Sequence, residues 1–141
     1  MPRIFLAEDN PADVYLIERA LKTHGVDFQL DVASDGRQAM SLLRTGADGR
    51  DESRPDLIVL DLNLPYYSGS EILQWIRETD PLSSIPVVVL TSSDSPRDRL
   101  TAMESGANSY IRKPSRLEDF MAIGAALKDM LAGKPCVSDP R

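Results

Sequence analysis

The sequence predicts an α/β fold, a five-stranded parallel sheet wound on both faces by helices. Three observations predict it. Short apolar runs alternate five times with longer segments of helical period. Two of those runs, Leu57–Leu60 and Val87–Leu90, are apolar throughout, as strands covered on both faces are. The strand-to-helix junctions carry helix-start residues, and right-handed crossovers then leave a doubly wound arrangement.

The elements follow in order. Arg3–Ala7 is a short apolar strand, and Pro11–His24 is helical, with Val14, Ile17 and Leu21 at spacings of three and four. Phe28–Ala33 alternates apolar and polar, which suits an edge strand with one wet face. Gly36–Thr45 is the second helix and Leu57–Leu60 the third strand. Gly69–Thr79 is a helix carrying Ile72, Leu73 and Ile76, and Val87–Leu90 is the fourth strand. Pro96–Ser105 is the fourth helix, Ser109–Arg112 the fifth strand, and Arg116–Leu131 the fifth helix, with Leu117, Phe120, Ile123 and Leu127 on one side.

Caps support these starts. Ser68 and Glu71, and Ser115 and Glu118, have capping-box spacing, and Asp35 with Gln38 is a weaker version. Asn10-Pro11 and Ser95-Pro96 place a capping side chain before a proline at the first helical position. Gly46–Arg54 is long for an αβ connection and charged, so it reads as an exposed, tolerant loop.

A chain of 141 residues, 42% of them hydrophobic, suits one domain over residues 1–131, followed by a short tail over 132–141. That tail is too short to be an output domain. The net charge of −6 argues against binding a nucleic-acid backbone, which needs a basic face. The single cysteine, Cys136, has no internal partner and suits a reducing compartment. No apolar run approaches the roughly 18–20 residues that span a bilayer. The N-terminus runs straight into acids, unlike a signal peptide. The expectation is a soluble cytoplasmic protein that binds neither nucleic acid nor membrane.

The third strand sits in "PDLIVLDLNLP", Pro55–Pro65. Asp56 at its front suits a solvated position, but Asp61 directly follows the apolar run. In an open parallel sheet, ligands bind beyond the carboxyl ends of the strands. Glu8, Asp9 and Asn10 follow the first strand, Ser34 and Asp35 the second, and Asp61 and Asn63 the third. Thr91, Ser92, Ser93 and Asp94 follow the fourth, and Lys113 the fifth. If the first and third strands are neighbours, Glu8, Asp9 and Asp61 meet. Three carboxylates together repel unless a divalent cation joins them, and hard oxygen donors with phosphate nearby suit Mg²⁺, with Mn²⁺ as the alternative. Asn63 could add its backbone carbonyl, Lys113 a point charge for a phosphoryl oxygen, and Thr91 a hydroxyl. This set suits phosphoryl transfer with a carboxylate nucleophile. No glycine-rich nucleotide cradle is present, so the phosphoryl group would come from a donor molecule.

Four motifs, "LAEDN", "PDLIVLDLNLP" followed by "SGSEIL", "IPVVVLTSSD" and "GANSYIRKP", stand in order at these strand ends. With them the chain, from about Pro2 to Leu131, resembles the response-regulator receiver domains of two-component signalling. It looks most like the small stand-alone regulators of bacterial phytochromes. The resemblance implies a CheY-like, flavodoxin-like (βα)5 three-layer sandwich of strand order 2-1-3-4-5. It implies Asp61 as phosphoacceptor, with Glu8, Asp9, Asp61 and the Asn63 carbonyl on Mg²⁺. Lys113, Thr91 and Ser92 would contact the phosphoryl group, and Thr91 and Tyr110 would form the switch. Lys113–Pro114 would be a cis peptide. The donor would be a sensor histidine kinase or a histidine phosphotransfer protein, and the chain would not be an enzyme beyond its own phosphorylation and dephosphorylation. Glu8 stands where Asp is more usual, and Ser115 where Phe often is. Asn63 and Ser93 occupy positions that modulate phosphoryl lifetime in the family.

Two other readings compete. An aspartyl-nucleophile phosphatase of the haloacid dehalogenase kind wants a second Asp where Asn63 stands. A pseudo-receiver adaptor would not need the acidic pair, Asp61 and Lys113 together. The apolar content of the fifth helix exceeds a one-sided stripe and predicts a homodimer through Phe120, Ile123 and Leu127. His24 reads as a helix-dipole partner.

Overall fold

The computed structural model describes residues 1–49 and 54–133. Its elements are β1 (Arg3–Ala7), α1 (Pro11–Thr23), β2 (Gln29–Ala33), α2 (Gly36–Asp48), β3 (Leu57–Leu60) and α3 (Gly69–Arg77). They continue with β4 (Val87–Thr91), α4 (Pro96–Glu104), β5 (Ser109–Arg112) and α5 (Leu117–Leu131). All strand pairs are parallel, in the order β2-β1-β3-β4-β5. The chain thus reverses direction of winding at β1, and β1 lies beside β3 with Ala7 opposite Leu60.

Strand periodicity divides the core. Ile4, Leu6, Leu57 and Val59 face Ile17 and Leu21 of α1 and Phe120, Ile123 and Leu127 of α5. Phe5, Ala7, Ile58 and Leu60 face the other way, toward residues of α2, α3 and α4. Successive strand side chains alternate faces, so a strand of four apolar residues feeds both layers. The three-layer sandwich expected from the sequence is what forms.

Four expectations need correction. Helix α2 runs on to Asp48, and Gly46 is buried within it. Burial of that turn offsets the roughly 1 kcal/mol that glycine costs a helix. Only the end of the expected Gly46–Arg54 loop remains outside the helix, and its residues 50–53 lie outside the described residues, as does Cys136 in the tail. Ser115 does not cap α5. The N-cap is Arg116, without a side-chain cap bond, because the helix starts one residue later than the spacing suggested. Ser68, by contrast, forms a full capping box with Glu71.

The Lys113–Pro114 peptide is not cis; among the described residues the cis bond is Asp80–Pro81. The intrinsic preference against cis at an X–Pro bond is only about 0.5–1 kcal/mol, so surroundings choose the isomer and analogy alone is a weak guide. Finally, Phe120, Ile123 and Leu127 are buried against the sheet and α1 and offer no surface to a second copy. Helix α5 must cover both neighbours, so it needs a wider apolar stripe than a helix lying on a sheet alone. Its backbone approaches α1 closely at Gly124, where a Cβ would lie 2.2 Å from the Ala20 carbonyl oxygen. His24 ends α1 here, its ring Nε2 lying 3.0 Å from the Met121 carbonyl oxygen.

Candidate functional site

The sheet sets the site at the carboxyl edge of β1, β3 and β5. The Asp61 N–H donates to Ala7 O at 3.0 Å, and the Glu8 N–H to Ala33 O at 2.9 Å. Both acids therefore continue the strand ladders by one residue, which fixes their backbones. Asp61 is 5% exposed and Glu8 2%, whereas Asp9 is exposed. Oxygens of these three carboxylates lie within 4.8 Å of one another.

The loop after β3 is pinned at Asp61 and at Leu62 beside it. The Asn63 N–H donates to Asp61 Oδ1 at 3.0 Å, and the Gly69 N–H to Leu62 O at 3.1 Å. A Cβ on Gly69 would lie 2.3 Å from the Asp61 carbonyl oxygen. The N-terminus of α3 thus abuts the Asp61 backbone directly.

Lys113 reaches in from the end of β5, held by its own N–H to Thr91 O at 2.7 Å. Its Nζ lies 2.6 Å from Glu8 Oε1, 2.8 Å from Asp13 Oδ2 and 2.9 Å from Asp61 Oδ2. Asp13 was not expected here from the sequence. It sits in the first turn of α1, one turn before the buried Ile17. That i, i+4 relation to a core residue was the available signal.

The charges are uneven, one ammonium among several carboxylates. Burial pushes the Glu8 carboxyl up to about 7, and the nearby Asp61 charge adds to this against the opposing pull of Lys113. Burial alone would lower the Lys113 ammonium, but hydrogen bonds to Asp13, Glu8 and Asp61 outweigh it and raise it above the usual lysine value. Hard oxygen donors and surplus buried negative charge fit a divalent cation bound by Glu8, Asp9 and Asp61.

Thr91 and Tyr110 belong to an adjoining group rather than to the carboxylate cluster. Thr91 is fully buried, and its Oγ1 accepts a long bond from the Ser93 N–H at 3.4 Å. Tyr110, 2% exposed, donates its hydroxyl to Ser93 O at 3.1 Å. The Arg99 guanidinium lies 5.4 Å from the Tyr110 ring centroid. Ser93 Oγ in turn donates to Asp98 Oδ2 of α4 at 2.6 Å. One residue, Ser93, therefore joins the end of β4, the β5 tyrosine and α4. Ser92 beside it is exposed. Asp56, at the front of β3, is exposed as expected, but its Oδ2 accepts the Arg3 N–H at 2.8 Å.

A sequence profile of the response regulator receiver domain matches residues 4–124. The chain is 40% identical over 117 residues to response regulator Rcp1 of Synechocystis, covering 83% of this chain and 80% of that protein. Among solved structures, the phosphorylated cyanobacterial phytochrome response regulator RcpA superposes with a TM-score of 0.83 at 38% identity, covering 93% of this chain and 94% of that one. The Mn²⁺-bound form of Rcp1 superposes at 0.82 and 36% identity, with both chains covered in full. Fold, strand order and sequence agree: the chain belongs to the response-regulator receiver domain family.

Proposed function

We infer that Asp61 accepts a phosphoryl group from a phosphohistidine on a sensor histidine kinase or a histidine phosphotransfer protein. The observation that carries this reading is the position of Lys113 Nζ, 2.9 Å from Asp61 Oδ2 within a buried carboxylate cluster. An Asp61 carboxylate oxygen attacks phosphorus, the P–N bond breaks, and its electron pair leaves with the imidazole, which takes up a proton. Lys113 donates to a developing equatorial oxygen, and the Asn63 N–H steadies the carboxylate. Glu8, Asp9 and Asp61, with the Asn63 carbonyl, would hold Mg²⁺, which supplies further neutralisation of phosphoryl charge when bound. Thr91 at the end of β4 and Ser92 after it would contact the phosphoryl group, and Tyr110, through Ser93, would relay the change to α4 and β5.

The likeness to RcpA, a cyanobacterial phytochrome response regulator, supports a photoreceptor kinase as the donor's class. Among the described residues no helix is long and apolar enough to cross a membrane, and a histidine-kinase partner suits the cytoplasm. Phe120, Ile123 and Leu127 lie in the core and lend no support to a homodimer.

Acetyl phosphate with Mg²⁺ tests the reading by intact mass. One phosphoryl group should appear on the native protein and none on Asp61→Asn. An unlabelled native protein would favour a phosphorylation-independent adaptor, and steady turnover of a small phosphoester would favour a phosphatase.

A further inference from the structure

An ammonium has three N–H donors, and Lys113 spends all three on carboxylates. Two of those partners, Glu8 and Asp61, belong to the cluster suited to a cation. The third, Asp13, does not. It lies in the first turn of α1, where the helix dipole favours its charge. The Asp13 and Lys113 side chains are 18% and 10% exposed, so water screens their contact only partly.

A phosphoryl oxygen on Asp61 needs a donor from Lys113. Glu8 and Asp61 have another use for their oxygens once a cation is present. Asp13 lies outside that cluster, and its 2.8 Å contact competes for the same ammonium. It also adds one more negative charge close to an incoming dianion.

We propose that Asp13 is a positioning residue that holds Lys113 on the α1 side of the site and restrains its engagement of the phosphoryl group. This deepens the phosphoacceptor reading above and rests on it. The restraint is set in the α1 sequence, away from the strand ends where the acidic pair and Asp61 stand.

Asp13→Asn keeps the shape and removes the charge. With saturating Mg²⁺, it should be labelled by acetyl phosphate about tenfold faster, the scale of one charge-assisted hydrogen bond. Its affinity for beryllofluoride, read from amide shifts, should rise by a similar factor. Asp13→Ala should move both readouts the same way, and Asp13→Glu should restore native behaviour. In metal-free protein, a denaturation cycle of Asp13→Asn with Lys113→Met should show coupling between the two positions. Folded Asp13→Asn and Asp13→Ala proteins that label at or below the native rate would overturn the proposal, as would an absence of coupling to Lys113. A native protein that takes neither label would instead sink the phosphoacceptor reading, and this inference with it.

Discussion

Lys113 Nζ lies 2.9 Å from Asp61 Oδ2 although 52 residues separate them in sequence. Strand β5 carries the lysine and β3 the aspartate, with β4 between them. The lysine therefore crosses the end of one strand to reach its partner. Its removal leaves buried carboxylates without a counter-charge.

Lys113→Met should therefore destabilise the metal-free protein at pH 8 by about 3 kcal/mol, the scale of breaking one side of a buried ion pair. The cost should shrink at pH 5, where Glu8 holds its proton. Urea denaturation at the two pH values measures both.

Glu8 titrates near 7, above its ordinary value of 4.5. The folded protein thus binds this proton more tightly than the unfolded chain does. The contribution is in full below about 4.5 and is lost as pH rises through about 7, by roughly 3 kcal/mol at most. Cation binding must expel the proton, so affinity should weaken as pH falls below about 7. Calorimetry in buffers of different ionisation enthalpy should detect proton release near neutrality, and Glu8→Gln should abolish it.

The two capping-box sequences should behave differently. Ser68→Ala removes a real cap and should cost about 1 kcal/mol. Ser115→Ala should stay within about 0.5 kcal/mol of the native protein, because Ser115 caps nothing. Thermal or urea denaturation of both variants tests the pair.

Arg77 should prove structural. Its guanidinium donates to the carbonyls of Gly106, Ser83 and Ile85 and to Asn108 Oδ1. Arg77→Met should cost about 2–3 kcal/mol by leaving those acceptors short of donors. Labelling at Asp61 in the folded fraction should be unchanged.

Much of this site was legible because a parallel sheet delivers strand-end residues to one edge. Glu8 and Asp61 directly follow apolar runs, and Asp9 and Lys113 lie just past the ends of β1 and β5, so the sheet order brings them to one edge. Asp13 was not legible in that way, since its position depends on how α1 packs, and a carboxylate early in a helix has an ordinary explanation in the dipole. The fifth helix misled for a related reason. Its apolar residues were counted against one surface, and the fold gives it two. The cap at Ser115 failed on a boundary, where one residue decides whether a hydroxyl reaches an amide.

Gly69 has no side chain to contribute, yet Asp61 cannot stand where it does unless position 69 stays bare. Its neighbours on the α3 side have no slack to surrender, since the loop from Leu62 is bonded back onto Gly69 itself. The two flanks of Asp61 are thus held differently. The α3 flank leaves no room at Asp61, while on the β4 side Ser93 is bonded to Thr91, Tyr110 and Asp98. If Asp61 is the phosphoacceptor, a change that starts there meets a closed wall at position 69.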